Sequence, residues 1–226
     1  MRLMQSLRLG DLELGNRVVM APMTRNRAHA DGVASDEMVA YYAQRASAGL
    51  IVAEGTWPSV TGQAYCRQPG IATPEQVAAW RRVTDAVHAN GGLIVLQLMH
   101  AGRIGSRHVK PPGIETVAPS AIRAAGEVFT DAAGLQPFDE PRALSTAEVQ
   151  AVVREHAAAA DNARAAGFDG VELHGTSGYL PMQFLCSGTN HRSDDYGGSA
   201  PKRARFMAEC LAAMADAIGS ARVGLR

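Results

Sequence analysis

The feature that most constrains this chain is the rhythm of its apolar runs. Residues 16–21, 50–54, 93–98, 170–174 and 222–226 are short, and they do not alternate apolar with polar side chains. Strands of that kind belong to parallel sheets covered on both faces. Longer helical patterns separate them. Ser35 is placed to cap a helix to about residue 47, with Gly49 as its stop. Thr73-Pro74-Glu75-Gln76 has the form of a capping box with proline in the first turn, and Ser145-Thr146-Ala147-Glu148 is a second box. A further helix is expected over 200–218. Between Met99 and Leu144 the pattern lapses into Gly, Pro and polar residues, and a loop this long is usually functional.

Repeated β-α units leave two architectures: a doubly wound sheet and a (β/α)8 barrel. No G-x-G-x-x-G follows any strand, so the dinucleotide form of the first loses support. Polar residues gather just after strand ends instead: Thr24 and Arg25, Glu54 and Gly55, Gln97 and His100, His174 and Tyr179. Barrel active sites lie at that end of the strands. The expected fold is therefore α/β, a (β/α)8 TIM barrel of which about the first five strands are present. Such a sheet has an open edge, so residues 1–226 are expected to form the N-terminal part of a single domain within a longer protein.

Composition narrows the function. Lys+Arg and Asp+Glu are both 22, which argues against a general nucleic-acid or polybasic membrane binder. The three cysteines form no C-x-x-C pair, so neither a disulfide framework nor a metal site is expected. No apolar leader opens the chain and no run approaches a membrane span; the expected setting is cytoplasmic.

Several ordered segments carry a resemblance: Asn16-Arg17-Val18-Val19-Met20-Ala21-Pro22-Met23-Thr24-Arg25, Gly92-Leu93-Ile94-Val95-Leu96-Gln97-Leu98, His174-Gly175-Thr176-Ser177-Gly178-Tyr179-Leu180 and Asn190-His191-Arg192-Ser193-Asp194-Asp195-Tyr196-Gly197-Gly198. Across its whole length the chain resembles the Old Yellow Enzyme family of FMN-dependent ene-reductases. That resemblance implies a barrel with FMN at its mouth. NADPH or NADH reduces the flavin, and an activated alkene (an enone, maleimide or nitroalkene) then takes hydride from flavin N5 and a proton from a tyrosine.

Residue by residue, the resemblance makes Tyr179 the proton donor and His174 a donor to the substrate carbonyl. Ser177 stands where the family has Asn or a second His, and serine reaches less far. Pro22, Met23 and Thr24 would face the flavin ring, Gly55 its edge, Gln97 its pyrimidine side and Arg226 the N1–O2 region. Met99 stands where several members carry tryptophan, with core filling an equal reading. Glu54, His100, Arg103 and Tyr65 are near-mouth residues without an assigned catalytic role. The loops that commonly hold phosphate follow strands seven and eight, beyond the five read here. Two other readings stay open: a truncated, non-catalytic flavin- or phenol-binding relative, and a barrel lyase or isomerase without flavin. A homo-oligomer through the open edge is also open.

Overall fold

In a computed structural model, which describes residues 2–226, the chain opens with an antiparallel hairpin. Its strands are β1 (Leu7–Leu9) and β2 (Leu12–Leu14), turned at Gly10 with φ 58°. Then follow β3 (Val19–Met20), α1 (Asp36–Ala43), β4 (Leu50–Thr56), α2 (Pro74–Ala89) and β5 (Ile94–Leu98). Residues 99–145 hold β6 (Val117–Ala118), β7 (Glu127–Thr130), β8 (Gly134–Pro137) and β9 (Arg142–Ala143). The chain ends with α3 (Thr146–Ala165), β10 (Gly170–Leu173), α4 (Leu180–Leu185), α5 (Ala200–Ile218) and β11 (Val223–Leu225).

The main sheet has the order β3-β4-β5-β10-β11, and every pairing in it is parallel. Each strand lies beside the one made before it, with a helix between. A doubly wound sheet reverses direction at a switch point; this one never does. Sequential winding of that kind is the path of a (β/α)8 barrel, here over five strands. Both edges present apolar side chains, with Val19 50% exposed on β3 and Leu225 51% exposed on β11.

The period of two along each strand splits the residues between two faces. Ile51, Ala53, Ile94, Leu96, Leu98, Val171 and Leu173 join one large core with the helices, around Trp80, Val83, Val152, Phe206 and Met214. Trp80 meets Phe168 edge-on at 5.3 Å, and Phe184 stacks on Phe206 at 4.3 Å. Each such fully buried side chain contributes about 1.5–3 kcal/mol. The opposite face is closed differently. Leu50, Val52 and Val95 pack against Leu12 and Leu14, so the N-terminal hairpin forms the floor of the barrel interior. Its turn reaches the other side of the sheet, where a Cβ on Gly10 would lie 2.5 Å from the Ala221 carbonyl oxygen.

Both expected capping boxes are present. Thr73 accepts from the Gln76 N–H at 3.3 Å, and Ser145 accepts from the Glu148 N–H at 3.3 Å, with both glutamine and glutamate reaching back. Three expectations need correction. Ser35 has the extended backbone of an N-cap, yet its side chain makes no cap bond, and α1 stops at Ala43. The run over 99–144 is ordered rather than a plain loop. It pairs β6 with β9 and β7 with β8, and Cys66 anchors it by accepting from the Asp131 N–H at 3.2 Å. The β1–β2 floor and α4 were not expected: their apolar residues are too few to show a period.

A buried histidine gives the fold a pH dependence. His156 on α3 is fully buried; Nδ1 donates to the Val152 carbonyl at 2.8 Å and Nε2 has no partner among the described residues. Burial holds its pKa down to about 4 from 6.5. Between these values the unfolded chain binds the proton and the folded chain does not, so stability rises with pH across that window. Glu54, pushed up to about 7 by burial, acts in the opposite sense, because there the folded form holds the proton. Comparing the wild type with His156→Leu cancels the glutamate. Denaturant unfolding should show the variant losing about 3 kcal/mol less than the wild type between pH 6.5 and 4. Equal slopes would mean that His156 is solvated.

Candidate active site

Above the apolar floor, the interior-facing positions turn polar at the C-terminal strand ends. Gln97 follows Val95 on β5, and Glu172 and His174 continue the same face of β10. Gln97 is buried and donates through Nε2 to Glu172 Oε1 at 2.8 Å. Burial raises the Glu172 carboxyl, opposed by that bond and by the charge of Arg226. Arg226 lies beyond β11, with its N–H bonded to the Leu173 carbonyl at 3.0 Å and its carbonyl accepting from Gly175 at 2.8 Å. Glu172 thus joins Gln97 and Arg226 in one layer. No catalytic role was expected of it, although its spacing of two from His174 put both on one face.

His174 prolongs β10 by one bond, from its N–H to the Leu98 carbonyl at 2.9 Å. Its ring is buried, and Nδ1 is without a partner among the described residues. Burial first, and the Arg226 charge second, hold its pKa near 4. The imidazole is therefore neutral at neutral pH, and a buried polar atom left unpaired is costly unless something else pairs with it.

The next residues bring a phenol back over this ring. Ser177 and Gly178 both have positive φ, 57° and 80°, and the Tyr179 N–H closes the turn onto the Thr176 carbonyl at 3.2 Å. That is the pattern of a type I′ turn, which favours Asn-Gly. Tyr179 then starts α4, and its ring meets His174 edge-on at 4.7 Å. Burial, together with its bond to Tyr65, raises the phenol above its ordinary value. Ser177 occupies the exposed tip of the turn, where its hydroxyl bonds to no protein group among the described residues.

Two buried amides fix these loops. Gln183 Nε2 donates to the carbonyls of Ala101 (2.9 Å) and Gly178 (2.7 Å), while its Oε1 accepts from the Arg103 N–H at 3.0 Å. Gln68 is fully buried; its Oε1 accepts from Ala64 and Tyr65, and its Nε2 donates to the Gly55 carbonyl at 2.8 Å. These bonds place Tyr65, whose hydroxyl lies 2.8 Å from that of Tyr179. Sequence reading placed Tyr65 near the mouth without a role, and no local motif marks the Gln68 bonds.

The first strand end supplies the opposite wall. Pro22 and Thr24 are half-buried and Met23 is exposed. The Arg25 N–H donates to Glu54 Oε2 at 2.9 Å, and Tyr42 donates to Glu54 Oε1 at 3.1 Å. Gly55 sits at a register shift in β4, where a Cβ would lie 2.7 Å from Met99 Sδ and 3.5 Å from Gln97 Oε1. Met99 is buried with Ala64, Ala101 and Tyr179, which makes it a wall of this site. His100 is fully buried and faces Thr61 and Gly102 instead. A planar group with polar edges fits this layer: it has a glycine where a side chain would intrude, the Gln97 amide, and an unpaired imidazole.

Fold and site together define part of a (β/α)8 barrel whose chemistry-bearing residues cluster at the C-terminal strand ends. Residues 2–226 match the NADH:flavin oxidoreductase / NADH oxidase family, and the chain belongs to it. It is 43% identical over 228 residues to a probable flavin mononucleotide-dependent alkene reductase of Leishmania infantum, covering 99% of this chain and 62% of that one. It is 43% identical to a putative 12-oxophytodienoate reductase 4 of Oryza sativa subsp. japonica, covering 99% of this chain and 58% of the relative. Morphinone reductase in complex with tetrahydroNAD superposes with a TM-score of 0.94 at 48% identity, covering 99% of this chain and 63% of that one. The old yellow enzyme homologue of Zymomonas mobilis gives 0.96 at 42%, covering 100% and 63%. The chain spans about three-fifths of the length of these relatives. Among the described residues no helix is long and apolar enough to cross a membrane.

Replacing Gln68 with leucine should strand the Ala64 N–H and the Gly55 carbonyl in a buried setting. The expected loss is about 2–4 kcal/mol in urea unfolding. A loss within the error of the fit would mean that water substitutes for the amide.

Proposed function

We propose that residues 1–226 form the N-terminal part of one FMN-binding barrel domain, and that its site reduces the C=C bond of activated alkenes. The observation that carries this reading is the buried, unpaired, neutral imidazole of His174 packed against the phenol of Tyr179. When bound, FMN accepts hydride from NADH or NADPH and passes hydride to the β-carbon of the alkene. Pro22, Met23 and Thr24 would hold one face and edge of the ring, Gly55 would admit it, and Gln97 and Arg226 would bind its pyrimidine side.

The chain's own residues then have defined tasks. Hydride addition builds negative charge on the substrate carbonyl. An imidazole N–H from His174 stabilises it, and a donor aimed at such a charge in a dry site is worth about 3–4 kcal/mol. Because His174 stays neutral down to about pH 4, it donates without first losing or gaining a proton. Ser177 offers a second donor from the turn tip. Tyr179 donates its phenolic proton to the α-carbon. A raised pKa keeps that proton in place until the neighbouring carbon becomes basic.

The direct test is a visible spectrum of the chain after incubation with excess FMN and desalting. Retained flavin that bleaches with NAD(P)H and returns with cyclohexenone supports the reading. Retained flavin that NAD(P)H does not bleach would favour a binding-only relative, and a colourless protein would count against the flavin site in this chain.

Two substitutions sharpen this. Tyr179→Phe should slow alkene reduction by about 10²-fold or more, with a much smaller effect on flavin reduction by NADH. Equal loss in both half-reactions, by stopped flow, would refute the proton-donor role. Ser177→Asn puts the preferred residue into the I′ turn and lengthens the donor. It should raise the unfolding midpoint slightly and tighten binding of a phenol, and unchanged affinity by titration would show that position 177 faces away from the ligand.

A further inference from the structure

We propose that Tyr65 is the relay through which Tyr179 regains its proton from solvent after each turnover. The inference rests on the alkene-reduction reading above and adds a residue to which sequence and resemblance assigned no role. Its basis is geometric. Tyr179 is 9% exposed, and the Tyr65 hydroxyl at 2.8 Å is its hydroxyl's one protein partner among the described residues. Tyr65 is only partly buried, so its side chain offers the buried phenol a route toward the surface.

The position is built rather than incidental. Gln68, fully buried, accepts from the Tyr65 N–H at 3.3 Å and from the Ala64 N–H at 2.8 Å. Its amide also donates to the carbonyl of Gly55, which belongs to the ring-facing layer. Gln63 adds a bond of 3.1 Å to the Tyr65 carbonyl. On the other side, the I′ turn and the Gln183 bonds hold Tyr179. Two loops from strands far apart in sequence are thus held so that two hydroxyls meet.

The chemistry balances. The Tyr179 O–H bond breaks as the C–H bond at the substrate α-carbon forms, which consumes the electron pair released by hydride addition. This leaves a phenolate in a buried setting, where an anion is poorly solvated. The Tyr65 O–H bond then breaks as the Tyr179 O–H bond re-forms. The charge moves to the oxygen of the less buried tyrosine, and water returns the proton to Tyr65. The net input is one solvent proton per alkene reduced, and a hydroxyl can donate and accept in turn without leaving its place.

The test compares wild type, Tyr65→Phe and Tyr179→Phe in the full chain reconstituted with FMN, with flavin reduction by NADH as the internal reference. For Tyr65→Phe the ratio of steady-state alkene turnover to flavin-reduction rate should fall about tenfold, in kcat rather than KM, with an enlarged solvent deuterium isotope effect. A structural role for Tyr65 would lower both half-reactions and leave the isotope effect alone. A second readout needs no cofactor: in the FMN-free chain labelled with ¹³C at tyrosine Cζ, removing the Tyr65 hydroxyl should shift the Tyr179 resonance. An unmoved resonance would overturn the proposal, because the two hydroxyls would not be bonded in solution. If Tyr179→Phe slows the alkene step but Tyr65→Phe leaves both rate ratio and isotope effect unchanged, the relay alone falls. If Tyr179→Phe changes nothing, the reading beneath it falls as well.

Discussion

The site depends on one constraint: a parallel strand must bury both of its faces, and it can bury them against different things. Here one face meets helices and the other meets a floor. Ile51, Leu96 and Val171 seal the outer face against a core that includes Trp80 and Phe206. Leu50, Val52 and Val95 seal the inner face against Leu12 and Leu14. The outer seal runs the whole length of the strands, through Leu98 and Leu173, while the inner seal is made only by their lower parts. The inner positions further along are then free to be polar, because the strands no longer depend on them for burial. Gln97, Glu172 and His174 occupy those positions, and a layer of pairable groups forms above a dry base.

Such a layer needs loops of fixed shape, and the fixing is done by amides rather than by apolar contact. Gln68, Gln183 and Asn190 are each buried, and each bonds backbone groups from a turn that makes few ladder bonds of its own. An amide carries donor and acceptor on one stiff group, so a single side chain satisfies both a stranded N–H and a stranded carbonyl. An aliphatic residue of the same size would fill the space and leave both unpaired, at a cost of about 1–3 kcal/mol each. The glycines beside these amides follow from the same geometry. Gly102 lies so close to Gln183 that a Cβ would stand 2.0 Å from its Oε1.

Much of this was legible in the sequence, and what was legible has a common cause. The strands, both capping boxes and α5 declare themselves through local period and local chemistry. Tyr179 and His174 were legible through a motif of six residues whose turn carries Ser177-Gly178. The floor hairpin and the β7–β8 arm were not, because strands of three and four residues are too short to show a period, and the Gln68 bonds were not, because a side chain bonding backbone groups leaves no mark in the hydrophobic pattern. Glu172 is the intermediate case. Its spacing from His174 was visible, but its pairing with Gln97 requires the register in which Glu172 stands opposite Gln97. The doubly wound alternative fell for a similar reason: strand order is a property of the sheet, which no single β-α unit carries.

The site also shows how one physical term can prepare two residues for opposite duties. Burial lowers the pKa of His174 and raises that of Tyr179, because in each case it disfavours the charged form. The result is a neutral imidazole and a neutral phenol in contact, with no counter-ion required for either. Under the proposed function, a substrate carbonyl oxygen that becomes anionic beside His174 would meet a donor that no carboxylate has neutralised, because Glu172 is already engaged by Gln97. Had the same two side chains been exposed, water would have competed for both. Their burial at the strand ends therefore matters to the proposed chemistry as much as their identity, and for Tyr179 it follows from the turn and the Gln183 bond that bring the loop back over His174.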